Sequence, residues 1–240
     1  MTMTGDTAAA VRSTLERENF TASNYGEGRS APRKTRVALF GSFHGGFHVL
    51  STLLGPELAD QVEVVGVATD DPTQSFTNAK VRLWRLPHTQ DEELMVPRLA
   101  AANDLCVYSG RVKSPSFARL YSEYWKPDLC LMATYGQKVP PHIFERPALG
   151  FFNFHHSDET WPSYPGPDPI GEMVRDGKTH VVLTLHEVSA IIDDGEAVAR
   201  SHKVALPENA DAVKVHRITW PQMGTFIREQ VRVLSQKQRA

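Results

Sequence analysis

The chain has 240 residues, of which 41% are hydrophobic and 22% charged, with a formal net charge of -2 at pH 7. That suffices for one large or two small globular domains with a buried core, and it carries no basic excess or stripe of the kind that holds nucleic acid. No apolar run approaches the ~18 residues needed to span a bilayer, the N-terminus lacks a charged-then-apolar signal pattern, and Asp6, Glu16 and Glu18 argue against an organelle transit peptide, so a cytoplasmic protein with no membrane partner is expected.

Residues 1–34, rich in Thr, Ala, Ser, Gly and Asn, read as an N-terminal extension or tether, with one domain over 35–240. Asp6 is placed to cap a short helix with Ala8, Val11 and Leu15 on one face. Arg33-Lys34-Thr35-Arg36 reads as a solvated linker. Arg36–Phe40 is a first strand, entering Gly41-Ser42-Phe43-His44-Gly45-Gly46 and a helix from Phe47 to Leu54, stopped by Gly55-Pro56. A strand, glycine loop and helix in series can offer N–H groups to an anion, although the spacing and Lys of a P-loop are missing. Val62–Thr69 is the second strand. Asp70 closes it, where a dinucleotide-binding protein carries its ribose-binding acid, yet it lies 29 residues beyond Gly41 against about 20 in that fingerprint.

Residues 71–90 read as an irregular loop. Asp91 opens a helix through Leu94, Leu99 and Ala102, and Leu105–Tyr108 returns as a short strand. Ser114-Pro115 is a helix start, cap followed by proline at the first position, for a helix reaching almost to Pro127. Asp128–Ala133 is nearly all apolar, as a central parallel strand should be. Pro140-Pro141 starts a short helix, and Phe151, Phe152 and Phe154 mark the next strand. Pro169–Val174 suggests a helix. His180–His186 alternates with Val181, Leu183 and Leu185 on one face, and Ala197–Leu206 reads as its antiparallel partner. Residues 211–235 read as helical, interrupted at Trp220-Pro221 with Thr219 as cap of the second part. The fold class is α/β: a Rossmann-like open, mixed but mainly parallel sheet with helices on both faces. Cys106 and Cys130 lie in apolar stretches and read as buried free thiols.

The chemistry concentrates on Asn153-Phe154-His155 and on Asp193-Asp194-Gly195. Residues i and i+2 of a strand share a face, so Asn153 and His155 can converge on one small group at the carboxyl end of a strand, where open α/β sheets bind ligands. A buried carboxylate such as Asp193 orients an imidazole and makes it a better base. An amide N–H₂ steadies the oxygen that turns negative when a carbonyl is attacked. Together the set suits acyl transfer; the bland alternative is a buried polar cluster that only satisfies its own hydrogen bonds. His155 and His156 face opposite ways and cannot share a metal, no zinc pattern is present, and no metal is expected. His44 and His48 read as loop and packing residues; His180, His186, His202 and His216 read as surface or strand-edge histidines. Ser157 lacks the nucleophile elbow.

Pro127–Pro140, Gly150–Ser157, Tyr164-Pro165-Gly166 through Pro169, and Asp193 two residues before Gly195 resemble the formyltransferases that use 10-formyltetrahydrofolate. That family includes glycinamide ribonucleotide transformylase, methionyl-tRNA formyltransferase and the sugar N-formyltransferases. The resemblance implies 10-formyltetrahydrofolate as formyl donor and Asn153, His155 and Asp193 as catalytic residues, Asp194 being only a neighbour. It implies a folate pocket at Tyr135, Gln137, Lys138, Val139, Ile191 and Ile192, held mostly through main chain. It puts the amine substrate against Ser42, His44, Gly45, Tyr164 and Gly166. Where the family has His-Pro-Ser-Leu-Leu-Pro, this chain has His155-His156-Ser157-Asp158-Glu159-Thr160-Trp161-Pro162, about two residues longer. Asp158 and Glu159 either read a cationic amine or form a solvated loop.

The expected function is therefore formyl transfer to a small-molecule amine, with a nucleotide-linked amino sugar as first acceptor class and an amino-acid-type amine or hydroxylamine as second. A homodimer is compatible with the sequence, and no nucleic-acid partner is expected. The alternatives are a formyltetrahydrofolate hydrolase, whose usual N-terminal regulatory domain would need more than the first 34 residues, and a noncatalytic nucleotide-binding module on the first β-α-β unit.

Overall fold

The computed structural model describes residues 33–74 and 87–236. Their apolar runs form an eight-stranded sheet from β1 (Thr35–Gly41), β2 (Val62–Ala68), β3 (Val107–Tyr108), β4 (Leu129–Ala133), β5 (Phe151–Ser157), β6 (His180–Glu187), β7 (Ala197–Arg200) and β8 (Val204–Ala205). The order is β3-β2-β1-β4-β5-β6-β7, with β8 also paired to β6. The first five strands run parallel; β6 to β8 add on antiparallel. The central strands β1 and β4 are covered on both faces, which explains their unbroken apolar runs. Chain order reverses between β1 and β4, so the loops leaving their carboxyl ends diverge and open a crevice.

The helices are α1 (Phe43–Leu53), α2 (Gln90–Ala101), α3 (Pro115–Arg119), α4 (Pro141–Phe144), α5 (Pro169–Arg175), α6 (Ala212–Thr219) and α7 (Gly224–Gln236). A π-helical stretch, Leu120–Trp125, continues α3, and a 3-10 turn, Trp220–Gln222, joins α6 to α7. Val37, Leu39, Leu131, Phe152, Phe154, Leu183 and Leu185 pack on one sheet face with α1, α2, α5, α6 and α7. Ala38, Phe40, Cys130 and Phe151 pack on the other with α3, the π-helical stretch and α4. The expected architecture, helices on both faces of a mainly parallel sheet, is the observed one.

Several local expectations need correction. α1 begins at Phe43, four residues early, and the glycines serve its packing. A Cβ on Gly41 would lie 2.7 Å from the Gly46 Cα, and one on Gly46 2.5 Å from the Gly41 carbonyl carbon. α2 starts at Gln90 because Thr89 and Glu92 cap it reciprocally. The 197–206 strand divides into β7 and β8, and Thr219 is no cap: its hydroxyl donates to the Val215 carbonyl within α6. Cys106 is exposed, not buried; Cys130 is buried. The basic run is not a free linker, since the Arg36 guanidinium reaches the carbonyls of Tyr124, Trp125 and Lys126 and Arg33 pairs with Asp128. The tether assigned to 1–34 and most of the loop at 71–90 lie outside the described residues. Among the described residues no helix is long and apolar enough to cross a membrane.

Candidate active site

Antiparallel pairing of β5 with β6 sets Asn153 opposite His186 and His155 opposite Thr184. Asn153 and His155 share the sheet face of Phe151. His156 points to the other face, packs against His216 and Trp220 at 4.8 and 5.3 Å between ring centroids, and hydrogen-bonds the Thr219 hydroxyl at 3.0 Å. Burial, helped by the neighbouring His155, lowers the His156 pKa to about 3, so it is a neutral packing residue near pH 7.

Asp193 returns from the loop after β6 to meet this pair. Its Oδ2 accepts the Gly166 N–H at 2.8 Å and faces His155 Nδ1 at 3.6 Å. Its Oδ1 accepts the Asn153 amide at 3.2 Å and faces His186 Nε2 at 3.5 Å. Burial alone would raise the Asp193 pKa. The His186 hydrogen bond, the His155 charge and the Gly166 N–H outweigh it and hold the carboxyl at about 2. His155 Nε2 lies 3.0 Å from the Tyr164 carbonyl, which can only accept, so Nε2 carries hydrogen and Nδ1 is the nitrogen turned to the carboxylate. In the same way His186 donates Nδ1–H to the Glu187 carbonyl at 2.8 Å. Asp193 and Tyr164 both hold left-handed backbone, with φ of 51° and 50°, a strain concentrated at functional sites. Asp194 is exposed; of the doublet, Asp193 faces the imidazoles.

Asn153, His155, Gly166, His186 and Asp193 line a cleft of about 170 Å³. Tyr135, Gln137, Lys138, Val139, Ile191 and Ile192 line it. The Gln137 side chain turns away, donating to Gly110 and Tyr135 and accepting from the Val112 N–H, so its main chain faces the cleft. Ile191 and Ile192 are 65% and 52% exposed and form an apolar rim. Of the residues expected to hold the amine, Gly166 lines the cleft, whereas Ser42, His44, Gly45 and Tyr164 do not. Gly45 is packed where a Cβ would meet Thr134 and Trp220. His44 binds Glu92 at 2.9 Å beside the Glu92–Arg217 ion pair. Tyr164 contributes its carbonyl to His155 and its hydroxyl to Asp176. The Ser42 hydroxyl is bonded to buried Asp70, whose Oδ2 accepts it at 2.8 Å and the Gly136 N–H at 2.7 Å. Asp70 is thus a strut between the β1 and β4 loops rather than a ribose ligand.

The chain matches the formyl transferase family over residues 36–219. It belongs to that family. It is 25% identical over 183 residues to a methionyl-tRNA formyltransferase of Syntrophomonas wolfei, which covers 76% of this chain and 53% of that protein. The chain spans about half the length of that relative. Its fold is similar to glycinamide ribonucleotide transformylase 1 from Symbiobacterium toebii, with TM-score 0.64, 16% identity and coverage of 85% and 89% of the two chains. It is also similar in fold to a formyltetrahydrofolate deformylase from Pseudomonas syringae, with TM-score 0.63, 21% identity and coverage of 86% and 63%.

Within this formyl transferase chain, the reading of His186 and His216 as surface or strand-edge histidines is corrected: they are 2% and 5% exposed, and His186 touches both Asn153 and Asp193. Only the β5–β6 register reveals that meeting. Sequence reasoning also missed Trp161, whose ring lies 4.6 Å from that of His186. Of the pair Asp158 and Glu159, only Glu159 stays exposed to solvent. Asp158 is buried and bonded to Lys178 and Thr160, and Glu159 pairs with Lys203, so the longer segment is anchored from both sides.

Proposed function

We propose that this chain moves the formyl group of 10-formyltetrahydrofolate to an amine of a small-molecule acceptor, with a nucleotide-linked amino sugar, then an amino-acid-type amine or hydroxylamine, as the classes to test first. The observation that carries this is the meeting of Asn153, His155 and Asp193 in a cleft whose walls are the main chain of 136–139 and the Val188–Ile192 side. Family membership supplies the reaction class. The donor is a substrate, and it brings an activated formyl carbon bound to nitrogen.

Each residue then has a role set by its atoms. Asn153 Nδ2, which rests on Asp193 Oδ1 and His186 Nε2, is the neutral donor that would turn one of its hydrogens to a carbonyl oxygen gaining charge. His155 keeps its Nε2–H on the Tyr164 carbonyl, so as the imidazolium it also carries a proton at Nδ1, facing Asp193 at 3.6 Å, and there becomes a second donor. In the transfer, the amine nitrogen bonds the formyl carbon, the bond from that carbon to the donor nitrogen breaks, and the proton lost by the amine reaches the departing nitrogen. His155 and Asp193 form the relay for it. The net charge of -2 gives no electrostatic pull on tRNA, which favours a small acceptor.

The test is to incubate the protein with 10-formyltetrahydrofolate and a panel of amines, following products by mass and free formate in parallel. A donor-dependent gain of one formyl group is expected for one acceptor class. Absence of donor binding in calorimetry would overturn the reading.

A further inference from the structure

We propose that Trp161 keeps bulk water from the His155–Asp193–His186 cluster and thereby steers the formyl group to an amine instead of to water; this rests on the formyl-transfer reading above. The indole packs on His186 with ring centroids 4.6 Å and planes 34° apart, and meets His155 edge-on at 5.9 Å. Its Nε1–H donates to the Gly195 carbonyl at 2.8 Å. His155 and His186 line the cleft, whereas Trp161 does not, so the indole packs on both imidazoles without itself lining the cleft. It is itself half-buried, while His155 and His186 are 7% and 2% exposed. Trp161 is the outer wall of the site.

The Gly195 hydrogen bond ties that wall to the loop carrying Asp193. Gly195 in turn sits so close to the Glu187 carbonyl, the acceptor of His186 Nδ1–H, that a Cβ would collide with it. One side chain therefore covers both imidazoles and braces two members of the site. The segment bearing it is held by the Asp158–Lys178 and Glu159–Lys203 ion pairs.

Amine transfer and hydrolysis differ only in the nucleophile. In hydrolysis a water oxygen bonds the formyl carbon and the bond from that carbon to the donor nitrogen breaks. One water proton goes to that nitrogen and the other to solvent, leaving formate and tetrahydrofolate. The His155–Asp193 relay can serve water as readily as an amine, so discrimination has to come from what reaches it. An apolar plate on the imidazoles leaves only the cleft, which donor and acceptor fill.

The test uses the full chain with 10-formyltetrahydrofolate as probe and no acceptor. Formate release is compared for wild type, W161A, W161L and W161F, with donor affinity from calorimetry and thermal unfolding on each. Backbone exchange of the Gly166 amide, bonded to Asp193, is read without donor. W161A and W161L are expected to release formate on the order of tenfold faster than wild type at unchanged donor affinity, with faster Gly166 exchange. W161F, which keeps a ring over the imidazoles, restores most of the wild-type protection. Equal formate release from wild type and a folded W161A or W161L of equal donor affinity overturns the proposal, as does slower release. If no form binds the donor, the formyl-transfer reading falls first and the proposal with it.

Discussion

Replacing Asp193 by Asn removes the charge but keeps the side-chain outline and a residue type that tolerates the left-handed backbone at φ 51°. The carboxyl is held at about 2 against an ordinary 3.8. At about 1.4 kcal/mol per pH unit, that depression corresponds to roughly 2 kcal/mol of native-state stability. Because the folded value lies below the unfolded one, this contribution is complete above about pH 4 and is lost as pH falls toward 2. Urea unfolding of wild type and D193N should therefore differ by about 2 kcal/mol between pH 5 and 7, and by roughly half as much at pH 3. On the formyl-transfer reading, D193N also lowers turnover on the order of a hundredfold, because the His155 relay loses its acceptor. A stability gap that stays constant from pH 7 to pH 3 would refute the electrostatic account, leaving Asp193 as a packing residue. Full turnover in a folded D193N would remove it from the mechanism.

Three further outcomes follow from the geometry. Gly195→Ala puts a Cβ 1.8 Å from the Glu187 carbonyl oxygen and should cost about 2–3 kcal/mol in chemical denaturation, with turnover falling because the same carbonyl orients His186. Asp70→Asn weakens the strut to Ser42 and Gly136, so the KM for the formyl donor should rise several-fold, by about 1 kcal/mol of binding, while kcat stays near wild type; an unchanged donor KM would show that the strut does not set the 136–139 wall. His156 and His48, whose burial lowers their pKa values to about 3 and 4, bind fewer protons folded than unfolded, so stability falls as pH drops below about 6.5. His156→Gln should flatten that fall between pH 6.5 and 4 in thermal-unfolding scans, and an identical slope would deny His156 its part.

The sheet was legible because its central strands are buried on both faces and so carry uninterrupted apolar runs, as in Val37–Phe40 and Leu129–Ala133. Boundaries set by capping and close packing were not: the Thr89–Glu92 box moves the α2 start, and the Gly41–Gly46 approach lets α1 begin at Phe43. Asn153 and His155 could be paired from their spacing, because two residues apart on a strand is a fixed geometry. The glycine loop shows what a sequence leaves open. A small residue looks alike in sequence whether it makes room for a ligand or for another backbone, and here Thr134 and Trp220 occupy the space beside Gly45.

What stayed hidden belongs to contacts between segments far apart in the chain. His186 sits 33 positions from Asn153, and its place follows from an antiparallel register that no local pattern encodes. The residues gripping His155 share a further property invisible in composition: Tyr164 and Asp193 both take left-handed backbone, one to aim a carbonyl at Nε2 and the other a carboxylate at Nδ1. Such conformations persist only where surroundings overdetermine them. Here those surroundings are the Gly166 N–H on Asp193, the Asp176 carboxylate on the Tyr164 hydroxyl, and the Trp161 bond to Gly195. The imidazole is therefore approached at both ring nitrogens by loop residues, the Tyr164 carbonyl at Nε2 and the Asp193 carboxylate at Nδ1, and those loops are tied to each other as well as to the strand that carries His155.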